Sequence, residues 1–202
     1  MHISEGVLSV PVLVATGTAG AVLTVYGFYR MKADMMARTA LMSSLFFVGS
    51  FIHIPVGPAS VHLVLNGLVG AVLGFCAFPA ILIALVLQAI LFQFGGFTTL
   101  GTNVLVMALP ALAGYFLFVL GSKSSGRMRW LLYYLTGAVP VLLSAALLSA
   151  VLAFSGSRLY DTAKAIFLMN IPVVVTEGLV SMYLFNFLNK VYPDFLSKNH
   201  EN

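Results

Sequence analysis

Long apolar runs separated by short polar or basic links dominate the chain, and each run is close to the length that spans a bilayer. The runs cover about Val7–Tyr29, Met35–Ile54, Ser60–Gly74, Phe78–Phe94, Asn103–Leu120, Trp130–Phe154 and Lys164–Leu188. This pattern predicts an all-α integral membrane protein, a bundle of about seven transmembrane helices. The Ser60–Gly74 run is short for a crossing, so either that helix tilts or the neighbouring loop enters the membrane. No internal repeat is visible. The chain reads as a single transmembrane domain over residues 1–202, with a polar segment at 1–6 and a polar tail at 190–202.

Composition agrees with this pattern: 60% of residues are hydrophobic and 8% charged, where soluble domains carry about 25% charged residues. The start, MHISEG, has no basic region before the apolar run and no clear cleavage site, so the first run is expected to stay as a spanning helix. The lone Cys76 leaves no intrachain disulfide and suits packing. Basic residues alternate by link. Arg30, Lys32 and Arg38 flank the first link, Lys123, Arg127 and Arg129 the link before Trp130, and Lys190 and Lys198 follow the last run. With seven crossings these three regions share one side, which the positive-inside rule makes cytoplasmic. The amino terminus is then outside and the carboxyl terminus cytoplasmic. The net charge of +4 is accounted for by these anchors, and no pattern points to nucleic acid. The phosphate-loop pattern of ATPases is absent, so no nucleotide is expected on this chain and transport energy would come from elsewhere.

The strongest chemical signal is Met1-His2. An α-amine, the His2 amide nitrogen and the His2 Nδ1 can close a five-membered and a six-membered chelate ring on one ion. A deprotonated amide enforces a plane, which suits Ni²⁺ or Cu²⁺, and Co²⁺ can also be held. Methionine removal needs a small second residue, so Met1 is expected to be retained ahead of His2. His53 and His62 fall at the same outer side as His2, whereas His200 lies in the tail. An imidazole from His53 or His62 would complete a square of nitrogens. Each also reads as an interfacial histidine with one wet edge.

Glu5 could cap the first helix or hydrogen-bond a ligand. The stretch Gly95–Gly101 is irregular, tolerated at depth only where it is buried in protein or lines a cavity. Hydroxyls of Thr98, Thr99 and Thr102 and the Asn103 amide could satisfy its backbone while it packs over the terminus. Glu177 falls inside the last run, where an ionisable group is costly unless paired. Proton relay, a metal waypoint and helix–helix hydrogen bonding all fit it, and Asn66 and Asn170 fit helix contacts. Small-residue faces occur at Ala15 and Ala19, and at Gly67, Gly70 and Gly74; they suit bundle packing or docking of another membrane subunit.

Four stretches together resemble one family. The MHISEG start is similar to the opening of the cobalt/nickel substrate-binding components of energy-coupling-factor (ECF) transporters, the CbiM/NikM family. The segment His53–His62 resembles its IP-to-H region, FGGFTTLGTN its glycine-threonine loop, and Ile171-Pro172 with Glu177-Gly178 its P-to-EG segment. The resemblance implies that Met1 and His2 bind Co²⁺ or Ni²⁺ from outside, with His62 supplying the fourth nitrogen. His53, Glu5, Gly96, Thr99 and Asn103 would be supporting or alternative residues. It further implies a separate transmembrane coupling subunit, docked on the Ala15/Ala19 face, with ATPase subunits and in some members a small accessory membrane subunit. Cobalt uptake for cobalamin synthesis is the common setting of short members, while a planar site suits nickel. The expected location is a prokaryotic inner or plasma membrane, multi-pass in the lipid bilayer. A metal-independent permease or channel, and an intramembrane enzyme pairing Glu177 with a histidine, are the competing readings. The second needs both groups within hydrogen-bond reach, although the outer histidines and Glu177 differ in depth along the sequence.

Overall fold

The structure, a computed structural model, describes residues 2–56 and 59–191, with the backbone alone over 53–56 and 59–61. Met1, His200 and all of the tail beyond Val191 therefore lie outside the described residues, as does the side chain of His53.

Helix α1 covers Val10–Arg30, α2 Met36–Gly49, α3 Asn66–Leu73, α4 Ala77–Phe92, α5 Leu100–Ser122, α6 Gly126–Ser155, α7 Tyr160–Met169 and α8 Ile171–Val191. Five stretches of the described residues are long and apolar enough to cross a membrane: Val10–Arg30, Asn66–Phe92, Leu100–Ser122, Gly126–Ser155 and Ser157–Val191. The second of these is not one straight rod. His62, just before α3, and Gln88, near the end of α4, both meet His2, although a straight helix between them would hold them more than about 30 Å apart. The chain reverses at Gly74, where φ is +54°, a conformation that glycine adopts without a Cβ penalty. The last apolar run is likewise broken, at Asn170, between α7 and α8.

One expected boundary moves. The run beginning at Ser60 is not helical at its start. Strands β1, His53–Val56, and β2, Ala59–His62, form an antiparallel hairpin in which His53 pairs with His62 and Ile54 with Val61. Pro55 disfavours helix, and the β-branched Ile54, Val56 and Val61 favour extended backbone. The helix starts only at Asn66, after the buried, irregular segment Leu63–Leu65. Leu65 is left-handed, with φ 56°, a conformation that costs a non-glycine residue about 1–3 kcal/mol. Glu177 compensates: its carboxylate accepts the backbone N–H of Val64 and, at 2.9 Å from each oxygen, that of Leu65.

The core lies where α3 and α4 meet α5, α6 and α8. Small residues set its spacing. A Cβ on Gly70 would lie 1.9 Å from the Ala111 carbonyl oxygen, so α3 and α5 touch backbone to backbone. Gly67 similarly abuts the Thr136 carbonyl of α6, so this glycine face is used inside the bundle. Helix α1 is peripheral: only Gly20, Thr24 and Gly27 are buried, Gly20 against Gly101, whereas Ala15 and Ala19 face outward.

Candidate metal centre

The segment ahead of α1 folds inward, and the backbone of Ile3 anchors it. The Ile3 N–H donates to Asn103 Oδ1 at 2.9 Å, and the Ile3 carbonyl accepts from Thr99 Oγ1 at 2.8 Å and from Asn103 Nδ2 at 3.1 Å. Its side chain is buried among Leu8, Val106, Leu148 and their neighbours. Asn103, at the start of α5, thus receives and donates to one residue like a second strand. Thr16 in α1 and Thr102 share a 2.7 Å hydroxyl contact just below.

The glycine-threonine loop closes over this segment as its composition predicts. The Thr98 N–H donates to Glu5 Oε1 at 3.2 Å, and a Cβ on Gly96 would lie 2.0 Å from Glu5 Cγ. Gly95 has φ +78° and faces Asn103 and the His2 Cβ. Glu5 therefore ties the terminal segment to the loop and does not cap α1, whose N-cap is Ser9 and whose first turn holds no acid.

His2 and His62 come together, with ring centroids 5.3 Å apart and planes inclined by 28°. His2 Nε2–H donates to Gln88 Oε1 at 2.7 Å. An amide oxygen only accepts, so the proton sits on Nε2 and the lone pair on Nδ1, the nitrogen that an amino-terminal chelate uses. His62 has the complementary tautomer: Nδ1–H donates to the Leu63 carbonyl at 2.8 Å, so the lone pair of the neutral ring lies on Nε2. Phe94 lies against His2, 6.0 Å between centroids. Burial pushes the His2 imidazole well below its ordinary 6.5, helped by the adjacent positive amino terminus and by His62, while the Gln88 hydrogen bond pulls the other way. The ring is held neutral, the form a metal ligand needs.

Two residues complete the site from further away. Gln88 is fully buried, its Nε2 has no partner among the described residues, and it was not among the candidate residues of the sequence. The signal was present: it is the one strongly polar side chain in the apolar run Phe78–Phe92. Glu177, also buried, lies behind Leu63–Leu65 and fixes the segment to which His62 Nδ1 is tied. Of the roles open to it, hydrogen bonding is the one seen, directed to a loop's backbone. Asn66 makes the expected helix contacts, its Nδ2 donating to the Met107 carbonyl of α5 and to Ser144 Oγ of α6, whereas Asn170 Nδ2 donates to the Ile166 carbonyl of the immediately preceding helix α7. The His53 backbone pairs with that of His62, its side chain lying outside the described residues, and Ala15 and Ala19 belong to the outward face of α1. Among the described residues no three His, Cys, Asp or Glu side chains gather as a metal cluster.

Comparison with known proteins agrees with this geometry. Residues 2–195 match the family described as CbiM, cobalt uptake substrate-specific transmembrane region. A putative metal transport protein of Haemophilus influenzae is 40% identical over 98% of both chains. The cobalt transport protein CbiM of Carboxydothermus hydrogenoformans is 28% identical over 96% of this chain and 85% of its own. The fused nickel transport protein NikMN of Rhodobacter capsulatus is 35% identical over 75% of this chain and 46% of its own length. A crystal structure described as a transition metal transporter has the same fold, with TM-score 0.77 at 22% identity over 95% of this chain and 93% of that one. A multi-pass prokaryotic membrane protein, the chain belongs to the CbiM family and is a transmembrane component of cobalt/nickel uptake of the CbiM/NikM type.

Proposed function

We propose that this protein captures Co²⁺ or Ni²⁺ from the outer side of the membrane in a square of four nitrogens: the Met1 amine, the His2 amide, His2 Nδ1 and His62 Nε2. The observation that carries this reading is the pair of complementary tautomers. Gln88 holds the His2 proton on Nε2 and the Leu63 carbonyl holds the His62 proton on Nδ1, so the ring lone pairs lie on the two nitrogens the chelate requires. The anchoring of Ile3 by Thr99 and Asn103 supports a preorganised terminus, and Glu5 against Gly96 supports a closed loop above it.

In this reading the chain crosses the membrane seven times, the seventh crossing being α8 with α7 preceding it. The amino terminus is outside and the basic links are inside. The ion is released inward by a transmembrane coupling subunit driven by separate ATPase subunits, with an accessory membrane subunit in some assemblies. The outward face of α1 at Ala15 and Ala19 is the docking surface for the coupling subunit. The decisive experiment is to purify the protein with an untouched start and measure bound cobalt and nickel, then repeat with one alanine inserted before His2. Stoichiometric metal in the first and none in the second is expected. Equal binding by both would overturn the terminal chelate.

A further inference from the structure

At the end of the bundle opposite His2, the Arg30 end of α1, the α1–α2 link and the α3–α4 reversal enclose a cleft of about 1020 Å³. It has two kinds of wall. Its charged lining comprises Arg30, Lys32 and Arg38 and, among the described residues, one acid, Asp34. The apolar part of its lining includes Phe75, Leu112 and Phe116. Arg30 and Lys32 make no ion pair or side-chain hydrogen bond with any described residue, so both present full charge to whatever occupies the cleft. Phe116 is 59% exposed and Tyr29 85% exposed, so the apolar wall continues onto the outer surface of α1 and α5, where a membrane protein meets lipid. An aromatic and cationic rim beside an apolar wall is what a bilayer interface selects.

We infer that this cleft is a binding site for an anionic phospholipid, with the phosphate headgroup between Arg30 and Lys32 and the start of an acyl chain along Phe75, Leu112 and Phe116. A cation cluster alone would suit any phosphate, but the apolar wall has no use for a free ion. Basic pockets between transmembrane helices hold anionic headgroups by the same pairing of charge and apolar surface, each cation contributing about 1 kcal/mol, or about fivefold in affinity. The site is independent of the metal centre and of which face of the membrane is cytoplasmic.

The test is native mass spectrometry on the full chain released from nanodiscs of equal phosphatidylglycerol and phosphatidylcholine. One retained phosphatidylglycerol per chain is expected, preferred over phosphatidylcholine, with the preference falling roughly 25-fold in the Arg30→Gln/Lys32→Gln double variant. The charge-conserving Arg30→Lys/Lys32→Arg variant should keep it, and unchanged metal binding in both would show that they fold. No preference in the parent, or a preference that survives the double variant, would overturn the site. So would displacement of the lipid by inorganic phosphate at about millimolar concentration, which would mark a soluble-ion site. Removal of residues 192–202 that raises lipid retention would overturn it in favour of the chain's own tail. Loss of assembly with transporter subunits in the double variant, with lipid ratios unmoved, would assign the cleft to a protein partner.

Discussion

The two ends of the bundle handle polar groups in opposite ways. At the His2 end almost every polar atom is spent on another: Asn103 and Thr99 on Ile3, Glu5 on Thr98, Gln88 on His2, Leu63 on His62, and Glu177 on the segment behind it. At the Arg30 end, Arg30 and Lys32 make no ion pair with any described residue around an open cleft. The first arrangement pre-sets tautomers and positions before an ion arrives, which small-ion capture demands because a metal tolerates little error in its ligands. The second leaves the geometry to the occupant and supplies mainly field, which suits a large, flexible, charged group. If both proposals hold, one short chain builds a rigid site by using up its hydrogen bonds and a permissive one by withholding them.

This contrast can be broken most severely with protons. Held well below 6.5 by burial, the His2 imidazole is neutral when seated but has its ordinary affinity for protons when released. The released state therefore binds more protons below 6.5. Seating of the terminus is fully favourable above that value and weakens as pH falls through it. Ion capture also expels protons from the amine, the amide and the imidazoles. Calorimetric affinity for nickel should therefore drop more than about tenfold per unit between about pH 7.5 and about pH 5. A flat profile would exclude the amide chelate.

Next in size is the loss of a ligand. His62→Ala should cost more than the roughly 10- to 100-fold typical of outer-shell changes in metal sites, read as metal retained after desalting. Gln88→Met keeps the volume but frees the His2 tautomer, and should fall inside that 10- to 100-fold range, with little change in melting temperature because the unpartnered Gln88 amide leaves with it. Glu177→Leu strands the Val64 and Leu65 amides and should destabilise the fold by about 1–3 kcal/mol per group, seen as a lower melting temperature alongside weaker metal binding as His62 loses its backing. Smallest of all, the Arg30→Gln/Lys32→Gln variant should shift metal affinity by less than about twofold, since surface charges this far from the site are screened. A larger shift would mean that the two ends are coupled.

Much of this was legible along the chain because it depends on composition and neighbours. The apolar runs announce the spanning helices, the Gly95–Gly96 and Thr98–Thr99 pairs the closing loop, and His2 with His53 or His62 a candidate metal centre, the choice of His62 coming from the family resemblance. Glu5 reads along the chain either as a helix cap or as a partner of a ligand. The structure gives it to Thr98 because the terminal segment turns inward before α1 begins. Gln88 was missed because one glutamine in an apolar helix does not say what it faces. The hairpin over His53–His62 was hidden because β-branched residues also fill membrane helices, and only its pairing across the turn distinguishes the two.

From sequence alone follow the membrane class, the family and the identity of the candidate ligands, since these rest on side-chain chemistry and on spacing within short segments. What the tertiary structure decided is which nitrogen of the His2 imidazole carries the proton, which carboxylate holds which backbone, and that Gln88 stands behind His2. Those depend on contacts between residues about a hundred positions apart, such as Ile3 with Asn103 and Leu65 with Glu177. Such contacts form only after helix packing has closed the loops between them, and no local propensity encodes them.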